Sequence, residues 1–357
     1  MKNTVLEVDL SKFYQNVEKV QKYVGNKTIM PIIKANAYGT YLNKRLDVLN
    51  HFEIVGVAEV QEARELRKIG YEKEIFVLNQ PSVEELEDIY QYHLTIGLSE
   101  ESFLEKINLP ITVHLEIETG MNRTGIQKKN WASFFEKIQN NKNIVVEGIY
   151  THFSSADTDL EYTKHQFQIF QEAVLFAKEF FSFKYVHCSA SNGILNFPED
   201  LSNLVRPGII LYGYESYPGA ALKIPIEATT KLKTKITYIK EVDANEAISY
   251  NQRFITNTSM KVATIPIGYA DGLRRCLTNK GEVVIKEEKR KILGTICMDS
   301  CMIDVTGMDV EVGDEVYLWD NEIITLDELA NSANSISYEM ISTISDRVER
   351  VFVNENK

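Results

Sequence analysis

Between residues 28 and 213 the sequence repeats one pattern eight times: a short apolar run, then a segment whose apolar residues recur with helical spacing. The runs occupy 28–33, 54–57, 75–78, 94–98, 111–117, 145–150, 185–188 and 204–211. They are apolar at consecutive rather than alternate positions, so they read as strands covered on both faces, as in a parallel sheet. The intervening segments, among them "VQEARELRKIG" and "SVEELEDIYQYH", carry one apolar stripe and one charged face. Eight strand–helix units imply an α/β fold, a (β/α)8 TIM barrel with its helices outside. Beyond about Pro225 the period changes. "KLKTKITYIKEV", "VVIKEEKRKILGTI" and "VGDEVYLWD" alternate around turn residues, which predicts a C-terminal β-rich domain. The expected division is a barrel over 10–225 and a β-strand domain over 226–357. The opening "TVLEVDL" also alternates and precedes a helix starting near Ser11, so segment 1–9 is expected to join the second domain's sheet.

Charge narrows the partners. The 39 Lys and Arg against 51 Asp and Glu leave a formal charge of -12, which argues against nucleic acid or an anionic membrane and favours a small-molecule substrate. The start lacks a long apolar segment, and no later stretch approaches the roughly 18 to 20 apolar residues of a membrane span. A cytoplasmic location is expected. The four cysteines, Cys188, Cys276, Cys297 and Cys301, are too few and scattered for a disulfide framework. "CMDSC" has no second Cys/His pair nearby in sequence, so the reading is a structural one with no metal.

In such a barrel the chemistry sits at the C-terminal ends of the strands. The first run ends in "PIIKANAYGT", where a lysine follows an apolar strand. Lys34 is either a strand-end lysine reaching water or a reactive amine made so by desolvation. The other runs deliver Glu116 and the loop "TGMNRTG" with Arg123, then His152, then Ser191 at the start of a short helix, then Arg206 ahead of Gly208 and Ile209. Singly, each has a plain structural reading: a satisfied histidine, a salt-bridged arginine, a helix-capping serine. Together they match a different need. Tyr38, Ser191 and backbone N–H groups freed by Gly208 suit a phosphate, and a desolvated Lys34 suits a Schiff base. These are the requirements of pyridoxal 5'-phosphate.

The stretches "IIKANAYG", "VHLEIETGMNRTG", "EGIYTHFSSAD", "VHCSASNGILNFP", "VRPGIILYG", "IPIGYADG", "GTICMDSCMIDV" and "ISYEMISTISDRV" occur in that order, and over nearly its whole length the chain resembles the alanine racemase family of fold type III pyridoxal phosphate enzymes. The resemblance implies that Lys34 carries the cofactor and is one catalytic base, and that Tyr250 of "ISYNQRF" is the second, supplied by a partner subunit. It implies a phosphate grip by Tyr38, Ser191, Gly208 and Ile209, His152 packed on the cofactor ring, and Arg206 facing the pyridine nitrogen. Arg123, the backbone N–H of Met298, and Tyr269 would bind substrate or line its entrance. The implied activity is an isomerase interconverting L- and D-alanine in a homodimer with shared sites. A non-catalytic pyridoxal-phosphate-binding barrel and a related decarboxylase are rivals. The β-rich part with Tyr250 argues against the first, and the lack of a cysteine-based active-site signature against the second.

The departures from the family pattern are informative. Gly39, Thr40 and Tyr41 stand where many relatives read Gly-His-Gly, and Asn251 replaces a glycine. Glu116 occupies the place of a lysine that relatives carbamylate, and is expected to orient Arg123. Asp346 replaces a tyrosine that contacts the phosphate and crowds the substrate pocket. It is expected to turn toward Arg347, another cation or the substrate, and to widen specificity from alanine toward serine.

Overall fold

The computed structural model describes residues 4–197, 201–214 and 223–355. The eight apolar runs form strands β2 (Thr28–Ile29), β3 (Ile54–Val57), β4 (Glu74–Val77), β5 (Thr95–Leu98), β6 (Ile111–Glu116), β7 (Ile144–Tyr150), β8 (Tyr185–His187) and β9 (Leu204–Val205). Strands β3 to β8 pair in sequence order, all parallel, and β2 pairs with β9. Two isolated bridges, Ile32 with Gly56 and Ala190 with Arg206, join these sheets and close the barrel. The last run is shorter as a strand than its apolar length suggests. Pro207 ends it, and 209–212 turn into a 3-10 helix whose residues are all buried.

The helices are outside and amphipathic. Leu10–Val24 begins directly after β1 (Val5–Asp9), where the Asp9 carboxylate caps the Lys12 N–H at 3.0 Å. It buries Leu10, Phe13, Asn16 and Val20 against the barrel. Helix Leu160–Ala177 buries Phe170, Val174 and Ala177, while Phe167, and Phe181 just beyond its end, are only partly covered.

The C-terminal residues build a nine-stranded sheet. "KLKTKITYIKEV" divides into Thr230–Lys235 and Tyr238–Val242. Glu282–Ile285 and Glu288–Leu293 form a hairpin whose two turn residues, Lys286 and Glu287, both have positive φ, the twist that suits a two-residue connection. β1 lies inside this sheet, antiparallel to Thr230–Lys235 and parallel to Glu349–Val353. The first three residues of segment 1–9 fall outside the described ones.

Gly213, at φ +80°, ends the 3-10 turn where the chain leaves the barrel, and a Cβ there would overlap the Glu227 carbonyl. Gly213→Ala is expected to destabilise the fold by about 2–4 kcal/mol, from left-handed strain plus steric overlap. Denaturant unfolding measures this directly.

Candidate active site

Lys34 follows directly on the first apolar run, in a turn of unusual hand. Ala35, Asn36, Ala37 and Tyr38 have φ between 51° and 55°, four successive left-handed residues with no glycine among them. Each costs roughly 1–2 kcal/mol relative to ordinary backbone, least for small or amide side chains, which is why "ANA" follows the lysine. The turn is held by Ala37 N–H to Ile33 O at 2.8 Å and Gly39 N–H to Ala35 O at 2.9 Å. It is also held from outside. Glu62 accepts from the N–H of Ala35 at 2.6 Å and of Ala58 at 2.7 Å, and Arg350 Nε donates to Gly39 O at 2.9 Å. The result turns Lys34 into the barrel mouth.

There it lines a cavity of about 250 Å³ with Tyr38, His152, Ser191, Arg206 and Gly208. Desolvation lowers the Lys34 pKa, the positive charge of Arg123 lowers it further, and Glu62 opposes both. The strand-end lysine is accessible from solvent yet gives up its proton more readily than an ordinary lysine, and the neutral amine is the nucleophilic form.

Ser191 is not a helix cap. The capping position of Ser191–Asn196 belongs to Ala190, and Ser191 Oγ accepts the Gly208 N–H at 3.0 Å. A Cβ on Gly208 would collide with the Tyr38 hydroxyl, so the glycine is what lets that phenol approach the loop. Tyr38 is anchored between Tyr212 and Tyr338, with ring centres 4.9 and 5.9 Å away. Ile209 is buried directly behind Gly208.

Arg206 is 1% exposed. Its Nη2 donates to the carbonyls of Thr151 at 2.8 Å and Cys188 at 3.2 Å, and Nη1 donates to His187 Nδ1 at 2.8 Å. Nη2 also lies 3.4 Å from His152 Nδ1. Burial and then the charges of Arg206, Arg123 and Lys34 push His152 down to about 3, so it stands neutral.

Other expected residues lie apart. Glu116 is buried at the end of β6, but it accepts from Thr124 Oγ1 at 2.7 Å and makes no ion pair with Arg123 among the described residues. The short side chain turns to the nearer hydroxyl, so the expected orienting contact is absent. Desolvation raises its pKa, with Thr124 and Arg123 opposing. Asp346 does not meet Arg347, whose guanidinium goes to Asp299 at 2.6 Å and Asp271 at 3.3 Å. Instead Asp346 accepts the Tyr41 hydroxyl, and Arg350 stacks 4.4 Å from the Tyr41 ring. The two positions where the chain was expected to depart from the family pattern, Tyr41 and Asp346, are thus partners of each other.

Tyr250, Tyr269 and Met298 do not line the cavity. They gather on the C-terminal sheet around the loop 295–300: Thr295 donates to the Tyr250 carbonyl at 3.0 Å, and Tyr269 N–H to Cys297 O at 3.1 Å. All three are exposed, Tyr250 at 66%. Sequence reasoning missed Glu62, Tyr338 and His187. Only Glu62 left a readable signal, a glutamate three residues after the capping position at Glu59.

Residues 8–216 match the model of the alanine racemase N-terminal domain, and 229–352 that of the C-terminal domain. The alanine racemase of Halothermothrix orenii is 36% identical, covering 99% of this chain and 97% of its own. That of Desulforamulus reducens is 34% identical, covering 97% and 98%. Among solved structures, alanine racemase from Bacillus anthracis with bound L-Ala-P superposes with a TM-score of 0.94 at 30% identity, covering 100% of this chain and 96% of that one. The Clostridium difficile enzyme does so at 0.93 and 31%, covering 100% and 97%.

With its pKa lowered, Lys34 holds more neutral amine at a given pH than an ordinary lysine does. Reductive methylation near neutral pH, followed by peptide mass spectrometry, should therefore modify Lys34 ahead of surface lysines such as Lys68 and Lys142. Equal rates would show that its pKa is that of an ordinary lysine.

Proposed function

The chain belongs to the alanine racemase family, and on that premise we propose that it is a pyridoxal-phosphate-dependent racemase interconverting L- and D-alanine. The observation that carries this is the convergence of Lys34, Tyr38, Ser191, Arg206 and Gly208 on one cavity. The donor set fits the cofactor. Tyr38 Oη, Ser191 Oγ and the N–H groups of Gly208 and Ile209 would hold its phosphate, Lys34 would carry it covalently, and His152 would pack on its ring. Bound there, the cofactor supplies an electron-withdrawing ring that stabilises negative charge at the substrate Cα.

The protein's own groups do the rest. Arg206 would face the pyridine nitrogen as a permanent donor, since a guanidinium keeps its protons, and so would temper the electron demand of the ring. Lys34 moves the Cα proton on the D face. Tyr250 does so on the L face, from a second copy of the chain, because its exposed side chain lies outside its own cavity. The same copy brings the Met298 N–H to the substrate carboxylate beside Arg123, and Tyr269 to the entrance. The working form is then a homodimer in the cytoplasm, with the barrel (10–225) giving one half of each site and the β-strand domain (226–357, with 1–9) the other. No described helix is long and apolar enough to cross a membrane. The relative solved with L-Ala-P favours an alanine-sized substrate. Widened turnover of serine rests on Asp346, whose carboxylate is committed to Tyr41, so alanine is the stronger reading.

Lys34→Ala should lose both the visible absorbance of the bound cofactor and more than about a thousandfold in racemisation, because the covalent link and one base go together. Tyr250→Phe should still bind the cofactor, while α-proton exchange starting from L-alanine falls much further than exchange from D-alanine. Equal losses would sink the two-base assignment. For Asp346→Tyr, the ratio of serine to alanine kcat/KM is the measure: a fall supports a role in specificity, and an unchanged ratio removes it.

A further inference from the structure

Beneath Arg206 the barrel interior holds a column of polar groups that the proposed reaction does not use. His187 Nδ1 lies 2.8 Å from Arg206 Nη1, and His187 Nε2 lies 2.8 Å from His114 Nδ1. Both imidazoles are fully buried, His114 stacked on Phe76 at 4.6 Å and His187 parallel to Tyr150 at 5.0 Å. Further down, His114 Nε2 and Glu74 Oε1 are both buried without a hydrogen-bond partner. Ligand atoms of Glu74, His114 and Glu147 lie within 4.8 Å of one another. Lys184 Nζ closes the outer side, 3.0 Å from Glu74 Oε2 and 3.8 Å from Glu147 Oε2, and Tyr185 donates to Glu74 Oε2 at 3.4 Å.

The proton positions follow from one end. A guanidinium only donates, so His187 Nδ1 must accept, and its proton sits on Nε2. That proton points at His114 Nδ1, which accepts in turn. The proton of His114 is therefore on Nε2, which is buried without a partner, as Glu74 Oε1 is. Desolvation first, and nearby cations next, hold His114 down to about 3 and His187 well below its usual range, so neither gains a second proton. A divalent ion would need the lone pair that Nε2 no longer offers, and would sit beside the Lys184 ammonium. What fits is a group that accepts from His114 and donates to Glu74. A water does both, and buried waters typically satisfy orphaned groups of this kind.

We propose that a buried water bridges His114 Nε2–H to Glu74 Oε1, so that Arg206, His187, His114, water and Glu74 form one chain of hydrogen bonds donating away from the cavity, with His114 and Glu74 as positioning residues for Arg206. The positioning role rests on the reading of Arg206 given under the proposed function. Reversing the chain would set a proton on His187 Nδ1 against the guanidinium, so Arg206 fixes which way the column points and Glu74 accepts at its far end.

The test is long-range proton–nitrogen NMR of the full chain labelled with 15N-histidine, at about pH 6 and about pH 8, before and after adding Zn2+. Both histidines should be neutral with the proton on Nε2 at either pH, and Zn2+ should leave them unmoved. A proton on Nδ1 of either ring, or a Zn2+ shift at His114, overturns the chain. His114→Phe keeps the packing on Phe76 but removes the acceptor. It should move the His187 Nε2 proton upfield and lower kcat on the order of tenfold with little change in KM, and His114→Gln, which can accept and donate, should recover most of that. An unchanged His187 signal and kcat in His114→Phe overturns the positioning role. The tautomer signals do not depend on turnover, so expected tautomers in a protein inactive on alanine would count against the racemase reading alone.

Discussion

Everything at the barrel mouth is arranged around a guanidinium that cannot leave and cannot lose its charge. Arg206 is sunk where an unpaired charge would cost several kcal/mol, so its donors must be met on every side. Two strand-end carbonyls, Thr151 and Cys188, and the imidazole of His187 meet them. The carbonyls are available because β7 and β8 end just before Thr151 and Cys188. With burial, that charge keeps His152 neutral, while burial and Arg123 together disfavour an ammonium at Lys34. Arg123 thus favours the neutral amine, and both guanidiniums favour an anionic ligand at the same mouth.

How far this could be read from the chain depended on the range of the interaction involved. The eight strands were legible because burial on both faces leaves unbroken apolar runs, and the C-terminal sheet because alternation does. Lys34, Tyr38, Ser191, Arg206 and Gly208 were legible as positions at strand ends, which topology alone brings together. The left-handed turn was not. Its strain is balanced by Glu62 and Arg350, and Arg350 lies 311 residues from the carbonyl it holds, so no local pattern announces it. For the same reason Glu116 was expected to seek Arg123, when the closer partner was a hydroxyl on its own loop. Local chemistry predicts which groups want partners; only the fold decides which partner arrives first.

The pair Tyr41 and Asp346 shows the same principle between distant segments. Read one at a time from the sequence, each was expected to act on a pocket by itself. Taken as neighbours, they are a phenol and a carboxylate that satisfy each other under Arg350, which also ties the lysine turn to the C-terminal region. Substitution at either position is thus coupled to the other and to the geometry at Gly39, and single-site comparison with relatives would misattribute the change.

The place of β1 carries a consequence for how the molecule is made. Val5–Asp9 is synthesised before the barrel, yet it pairs with Thr230–Lys235 and with Glu349–Val353, a separation of more than two hundred and of more than three hundred residues. During elongation the barrel strands can pair with near neighbours as they emerge, while this segment waits with both ladder edges open. Such long-range closure is slow and leaves sticky backbone exposed in the interval. The charged pattern of the strand, with Glu7 meeting Lys233 once the sheet assembles, gives the waiting segment some protection from the wrong partner. The register of the last-made strand therefore decides when the first-made one comes to rest.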